Sequence, residues 1–142
     1  MVSGKTKDLE LLMIDLKKNN IKSIKLAVSA PFHCKLMNNA TKIMKDEIEK
    51  CDFKNPKNKL ISNVTSEEVE DASILKDLLI KQIESRVRWR ENVNLMLEKK
   101  INNFIEIGPG KVLSGLIKRI NRDSITCSIN SEEDIKKIKI ND

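Results

Sequence analysis

Two hydrophobic periods alternate along this chain. Between Asp8 and Asn19 the apolar residues Leu9, Leu12, Met13 and Leu16 recur at i, i+3, i+4 and i+7, the face of an amphipathic helix that Asn19-Asn20 then ends. From Ile24 to Ser29 the spacing changes to two: Ile24, Leu26 and Val28 alternate with Lys25, Ala27 and Ser29, which predicts a strand stopped by Pro31. A second helical stripe runs from Cys34 to Cys51 through Met37, Ala40, Met44 and Ile48, so His33 falls in a short strand-to-helix turn. Turns of that kind are where α/β proteins present chemistry.

Asn55 to Asn58 reads as a loop, Leu60 to Val64 as a short strand, and Thr65 to Glu68 as a polar connection with helix-start chemistry. A helix is predicted from about Ala72, with Leu75, Leu79 and Gln82 at i, i+4 and i+7. Gln82 thereby takes a position that the period assigns to the buried face, where a carboxamide needs hydrogen-bond partners or costs about 1–3 kcal/mol. Trp89, Val93, Met96 and Leu97 mark another helix, ending at Lys99-Lys100. Phe104 to Ile107 is a strand, Gly108-Pro109-Gly110 a sharp turn, and Val112 to Ile120 a helix, the strand-turn-helix unit of a parallel sheet. Ser124 to Ile129 completes the pattern as a last strand, and Glu132 to Asp142 is a weakly helical or frayed tail.

Composition narrows the classes. No run approaches the roughly 18 apolar residues of a membrane span, and the first apolar stretch carries Glu10 and Asp15, which argues against a signal peptide. The chain is therefore expected to be cytoplasmic. With 142 residues it is long enough for one domain with a real core. Cys34, Cys51 and Cys127 fit no disulfide framework and no C-x-x-C spacing, and His33 is the one histidine, so no metal site is expected. The net charge of +6 is spread among Glu, Asp and Asn rather than gathered into a block, and a nucleic-acid partner is not expected on that basis.

Four features invite chemistry. Gly108-Pro109-Gly110-Lys111 could aim helix N–H groups at a phosphate, but it has neither Walker A nor G-x-G-x-x-G spacing and reads as a structural turn. Arg86, Arg88 and Arg90 flank Trp89 and could supply phosphate contacts around a stacking platform for a nucleic acid, but residues two apart on a helix point about 200° apart, so if the helix has begun by Arg86 they do not share one face. His33 is placed to accept a proton, or to be an ordinary turn residue, and local sequence leaves both open. Gln82, or its backbone carbonyl, is a group that could orient an imidazole.

The blocks Val28-Ser29-Ala30-Pro31-Phe32-His33-Cys34-Lys35-Leu36-Met37, Ile61-Ser62-Asn63-Val64-Thr65, Val87-Arg88-Trp89 and Glu106 to Leu116 (EIGPGKVLSGL), in this order, resemble the malonyl-CoA:acyl-carrier-protein transacylases of type II fatty acid synthesis. The resemblance implies an α/β fold: the C-terminal part of an α/β-hydrolase-like acyltransferase subdomain over 29–142, preceded over 1–28 by the end of a ferredoxin-like small subdomain. It implies transfer of a malonyl group from malonyl-CoA to the phosphopantetheine thiol of acyl carrier protein through an acyl-serine, with these two as substrates and no cofactor. His33 matches the family's general base, and Gln82 matches the glutamine that lines the site and whose backbone carbonyl orients that base.

The departures carry equal weight. No G-x-S-x-G elbow occurs in these residues, and the family's malonyl-gripping arginine and N-terminal oxyanion-hole glutamine have no counterpart. Arg86 stands where a proline is usual. The expectation is a C-terminal fragment that supplies His33 to a complementing N-terminal half and is poorly soluble without it. The rival readings are an inactive remnant, or a basic binding module for acyl carrier protein or nucleic acid.

Overall fold

In the computed structural model, which describes residues 2–28 and 30–137, the helical stripes read from the sequence fold as helices almost residue for residue. The fold is α/β, and the chain divides after Arg88 into two compact units. In the first, α1 (Thr6–Lys18) half-buries Leu9, Leu12, Met13 and Leu16. It ends in a Schellman turn: Asn20 takes a left-handed φ of 57°, and the Ile21 N–H reaches the Leu16 carbonyl at 2.8 Å. A 3₁₀ turn (Lys35–Met37) leads into α2 (Asn38–Lys50), which packs on α3 (Ala72–Gln82). Lys76 of α3 caps the end of α2, its Nζ donating to the carbonyls of Glu49 and Cys51 at 3.2 and 2.9 Å.

Two expectations fail in this unit. Ile24 to Val28 is not a strand: alternation fits a pleat, but a strand exists only by pairing, and no described segment pairs with it. Its Ser29 end lies outside the described residues. The stretch from Leu60 holds two strand residues rather than five, β1 (Leu60–Ile61), and the polar connection after it begins no helix. It is the loop of a hairpin with β2 (Glu68–Val69), in the antiparallel register Leu60↔Val69 and Ile61↔Glu68. Buried Ser62 organises that loop, its Oγ accepting from the Val64 N–H at 3.1 Å and its carbonyl from the Ser66 N–H at 2.9 Å. The helix start falls instead at Asp71, whose carboxylate caps the Ser73 and Ile74 N–H groups of α3.

The second unit holds α4 (Trp89–Glu98), β3 (Asn103–Ile107), α5 (Val112–Ile120), β4 (Ile125–Ile129) and α6 (Glu132–Lys137). As the strand-turn-helix pattern predicts, β3 and β4 pair in parallel, from Asn103↔Ile125 to Ile107↔Ile129, with α5 as the crossover. The tail is helical through Lys137, and 138–142 lie outside the described residues. Val93 of α4 is 0% exposed and, with Ile117 of α5, forms the unit's core. The pleat sends Phe104, Glu106, Thr126 and Ser128 to one face of the ribbon, where the Ser128 and Ser114 hydroxyls meet at 3.0 Å beneath α5. The other face carries Ile105, Ile107 and Ile125, which are 51%, 80% and 62% exposed, beside exposed Cys127. Parallel sheets ordinarily have both faces covered; among the described residues this face is bare.

Candidate active site

Residues 31–34 turn sharply between the extended segment and the 3₁₀ turn, and His33 sits in that turn with φ 60°. Left-handed backbone is uncommon outside glycine, although histidine, asparagine and aspartate adopt it several-fold more readily than other residues. The end of α3 holds it there. A helix leaves its last carbonyls without intrahelical partners, and His33 takes two consecutive ones: its backbone N–H donates to the Ile83 carbonyl at 3.2 Å, and its ring Nδ1 lies 2.9 Å from the Gln82 carbonyl oxygen. Since a carbonyl oxygen only accepts, Nδ1 carries the hydrogen in this bond. The neutral ring therefore keeps the lone pair on Nε2, the state from which an imidazole takes a proton.

The structure thus brings His33 and Gln82 together through the backbone of Gln82. The Gln82 side chain is half-buried rather than buried, so the desolvation cost anticipated for its carboxamide is relieved by contact with solvent. Around the pair, the Cys34 Sγ donates to the Pro31 carbonyl at 3.1 Å, and Asn38 donates to Glu84 at 3.2 Å. Of the arginines flanking Trp89, Arg86 and Arg88 precede α4, and Arg88 is committed internally: its guanidinium donates to the Thr65 carbonyl at 2.7 Å and its N–H to the Asn63 carbonyl at 2.9 Å. That links the segment following α3 to the β1–β2 loop.

The glycine turn proves structural as well, by means that periodicity could not show. The two oxygens of Glu106 accept from the Leu113 N–H at 3.0 Å and the Ser114 N–H at 2.8 Å, so a carboxylate of the chain already occupies the N-terminus of α5. Hydrogen bonding from Ser114, then from the Leu113 and Val112 N–H groups, holds this carboxyl below its ordinary range against an opposing push from burial. Gly108 and Gly110 have φ of 136° and 97°, values that let the chain reverse between Glu106 and the helix it caps. The signal that finds Glu106 is an acidic residue on the inward face of a strand, seven and eight positions before the two N–H groups it accepts from.

No family model matches the chain. Over 137 residues it is 39% identical to the malonyl CoA-acyl carrier protein transacylase of Bacillus subtilis (strain 168), an alignment spanning 96% of this chain and 43% of that protein. Its structure superposes on an acyl carrier protein S-malonyltransferase from Vibrio cholerae with a TM-score of 0.86 at 34% identity, covering 96% of this chain and 45% of the other. A malonyl-transacylase in complex with its type II PKS acyl-carrier protein matches with a TM-score of 0.84 at 30% identity, covering 94% and 44%. The chain spans less than half the length of each. Among its described residues, no helix is long and apolar enough to cross a membrane.

Proposed function

As a member of the malonyl CoA-acyl carrier protein transacylase family that spans 43% of its Bacillus subtilis relative, this chain, we propose, supplies the general base for malonyl transfer from coenzyme A to acyl carrier protein. The observation that carries this is the Nδ1 bond of His33 to the Gln82 carbonyl, which leaves Nε2 ready to accept. A serine nucleophile comes from polypeptide beyond these 142 residues. His33 Nε2 removes the hydroxyl proton as the serine oxygen attacks the malonyl thioester, and returns it to the departing coenzyme A sulfur. In the second half-reaction the phosphopantetheine thiol gives its proton to Nε2 and attacks the acyl-serine, and the proton then passes to the serine oxygen as it leaves. We place the reaction in the cytoplasm, with acyl carrier protein as partner, malonyl-CoA as donor and no further cofactor.

The bare face of β3 and β4 offers the complementing polypeptide an apolar surface of the kind an interface core uses. The test is to co-express this chain with the stretch of the Bacillus subtilis relative that it does not span, and to measure malonyl transfer. His33→Asn, which keeps left-handed backbone available at that position, is expected to lower kcat by about 10²–10⁴. Undiminished transfer by that variant removes His33 from the reaction.

A further inference from the structure

Cys34 bounds the turn that presents His33. Its thiol lies 3.1 Å from the carbonyl oxygen of Pro31, three residues back, so the segment Pro31-Phe32-His33-Cys34 is closed by a side-chain donor across the histidine. The Cys34 carbonyl in turn accepts the Met37 N–H at 3.0 Å and starts the 3₁₀ turn. One residue therefore ties His33 both to the Pro31 carbonyl before it and to the helical segment after it. Both Pro31 and Cys34 are half-buried, where solvent only partly replaces a lost donor.

We infer that Cys34 is a positioning residue for His33, an inference that rests on the role proposed for His33 as the base. The left-handed backbone at His33 is what lets its N–H and its Nδ1–H reach the neighbouring carbonyls of Ile83 and Gln82 together. The thiol acts against relaxation of that backbone. Without it the Pro31 carbonyl loses its closing donor, the turn opens toward negative φ, and the ring leaves Gln82. An imidazole freed from that carbonyl populates the tautomer with hydrogen on Nε2, which cannot accept a proton there. Serine, with a hydroxyl donor on the same Cβ, substitutes for the thiol; alanine and valine do not.

With a single histidine in the chain, His33 can be read without assignment ambiguity. Long-range proton–nitrogen spectra of 15N-histidine-labelled protein, in solution or sedimented for magic-angle spinning, are expected to show Nδ1 protonated and Nε2 bare in the natural sequence and in Cys34→Ser. In Cys34→Ala the two nitrogen signals should move toward each other as the second tautomer gains population. If that variant loses its helical circular dichroism, Cys34→Val is read in its place, since it keeps the volume without the donor. In the reconstituted enzyme the same variants should lower kcat about tenfold with KM unchanged. Spectra and kcat that match the natural sequence in the variants lacking the donor overturn the inference. The outcomes also separate from those of the proposed function: a tautomer shift in Cys34→Ala beside undiminished transfer by His33→Asn sinks the base and leaves the positioning intact. Loss of transfer in His33→Asn, with spectra and kcat unaltered in Cys34→Ala, does the reverse.

Discussion

A single carbonyl decides what His33 can do, and that carbonyl belongs to the backbone of Gln82 rather than to its side chain. Gln82→Ala is therefore expected to leave the Nδ1-protonated tautomer in place and to cost transfer activity less than His33→Asn; a shift to the other tautomer in Gln82→Ala would show that the carboxamide, not the carbonyl, orients the ring. The position of His33 in a turn and the oddity of Gln82 on an apolar face were both legible in the sequence. Their juxtaposition came from the family resemblance and not from the pattern, because 49 residues separate them and periodicity carries no information on pairing at that range. The core follows the same logic. Val93 was readable as an inward residue, and because it is completely buried, Val93→Ala should cost about 2 kcal/mol in urea unfolding. Ile43, which is exposed although it lies on a helix, should cost less than about 0.5 kcal/mol when changed to alanine.

Among the elements, helices were legible and short strands were not. A helix satisfies its own backbone, so an apolar stripe suffices to predict it, as in α1, α4 and α5. Strands depend on a partner elsewhere, which is why the alternating segment Ile24 to Val28 stands unpaired among the described residues while unremarkable Glu68-Val69 pairs with β1. The cap of α5 lay outside what helical periodicity reads, because Glu106 acts across the glycine turn from another element. Its carboxyl is held below its ordinary value of 4.5, so the ionised form binds the folded state more favourably than the unfolded one. The contribution is whole above pH 4.5 and disappears as pH falls through the lower, folded-state value. Thermal melts between neutral pH and about pH 3 should show Glu106→Gln less stable than the natural sequence at neutral pH, with the two curves converging in acid. Parallel curves across that range would mean that the cap does not titrate with folding.

At the scale of the molecule, the parallel β3–α5–β4 arrangement followed from the sequence, and the coverage of its faces did not. Alternation in Phe104 to Ile107 distinguishes the two faces of the ribbon without saying what lies on either. The bare isoleucines make association the expected behaviour of these residues in isolation. Sedimentation of the natural chain should shift with concentration, and Ile107→Lys with Ile125→Lys should abolish that shift while leaving the circular dichroism spectrum unchanged. The docking of a complementing polypeptide proposed for this face predicts that the same pair of changes also prevents reconstitution of transfer activity. Concentration-independent sedimentation of the natural chain would remove the association.

The β3–α5–β4 crossover also sets a schedule. Every rung of that ladder joins residues 22 positions apart, Asn103 to Ile125 through Ile107 to Ile129, and the β1–β2 hairpin closes over a shorter span still. All of these partners lie within one strand-helix-strand stretch, so the ribbon needs no residue from outside that stretch to pair. The ribbon can thus be complete, with Ile105, Ile107 and Ile125 displayed, before any slower docking event reaches it. Until something covers it, the isoleucine face is exposed apolar surface, and another nascent copy or a chaperone competes for it with the docking proposed above.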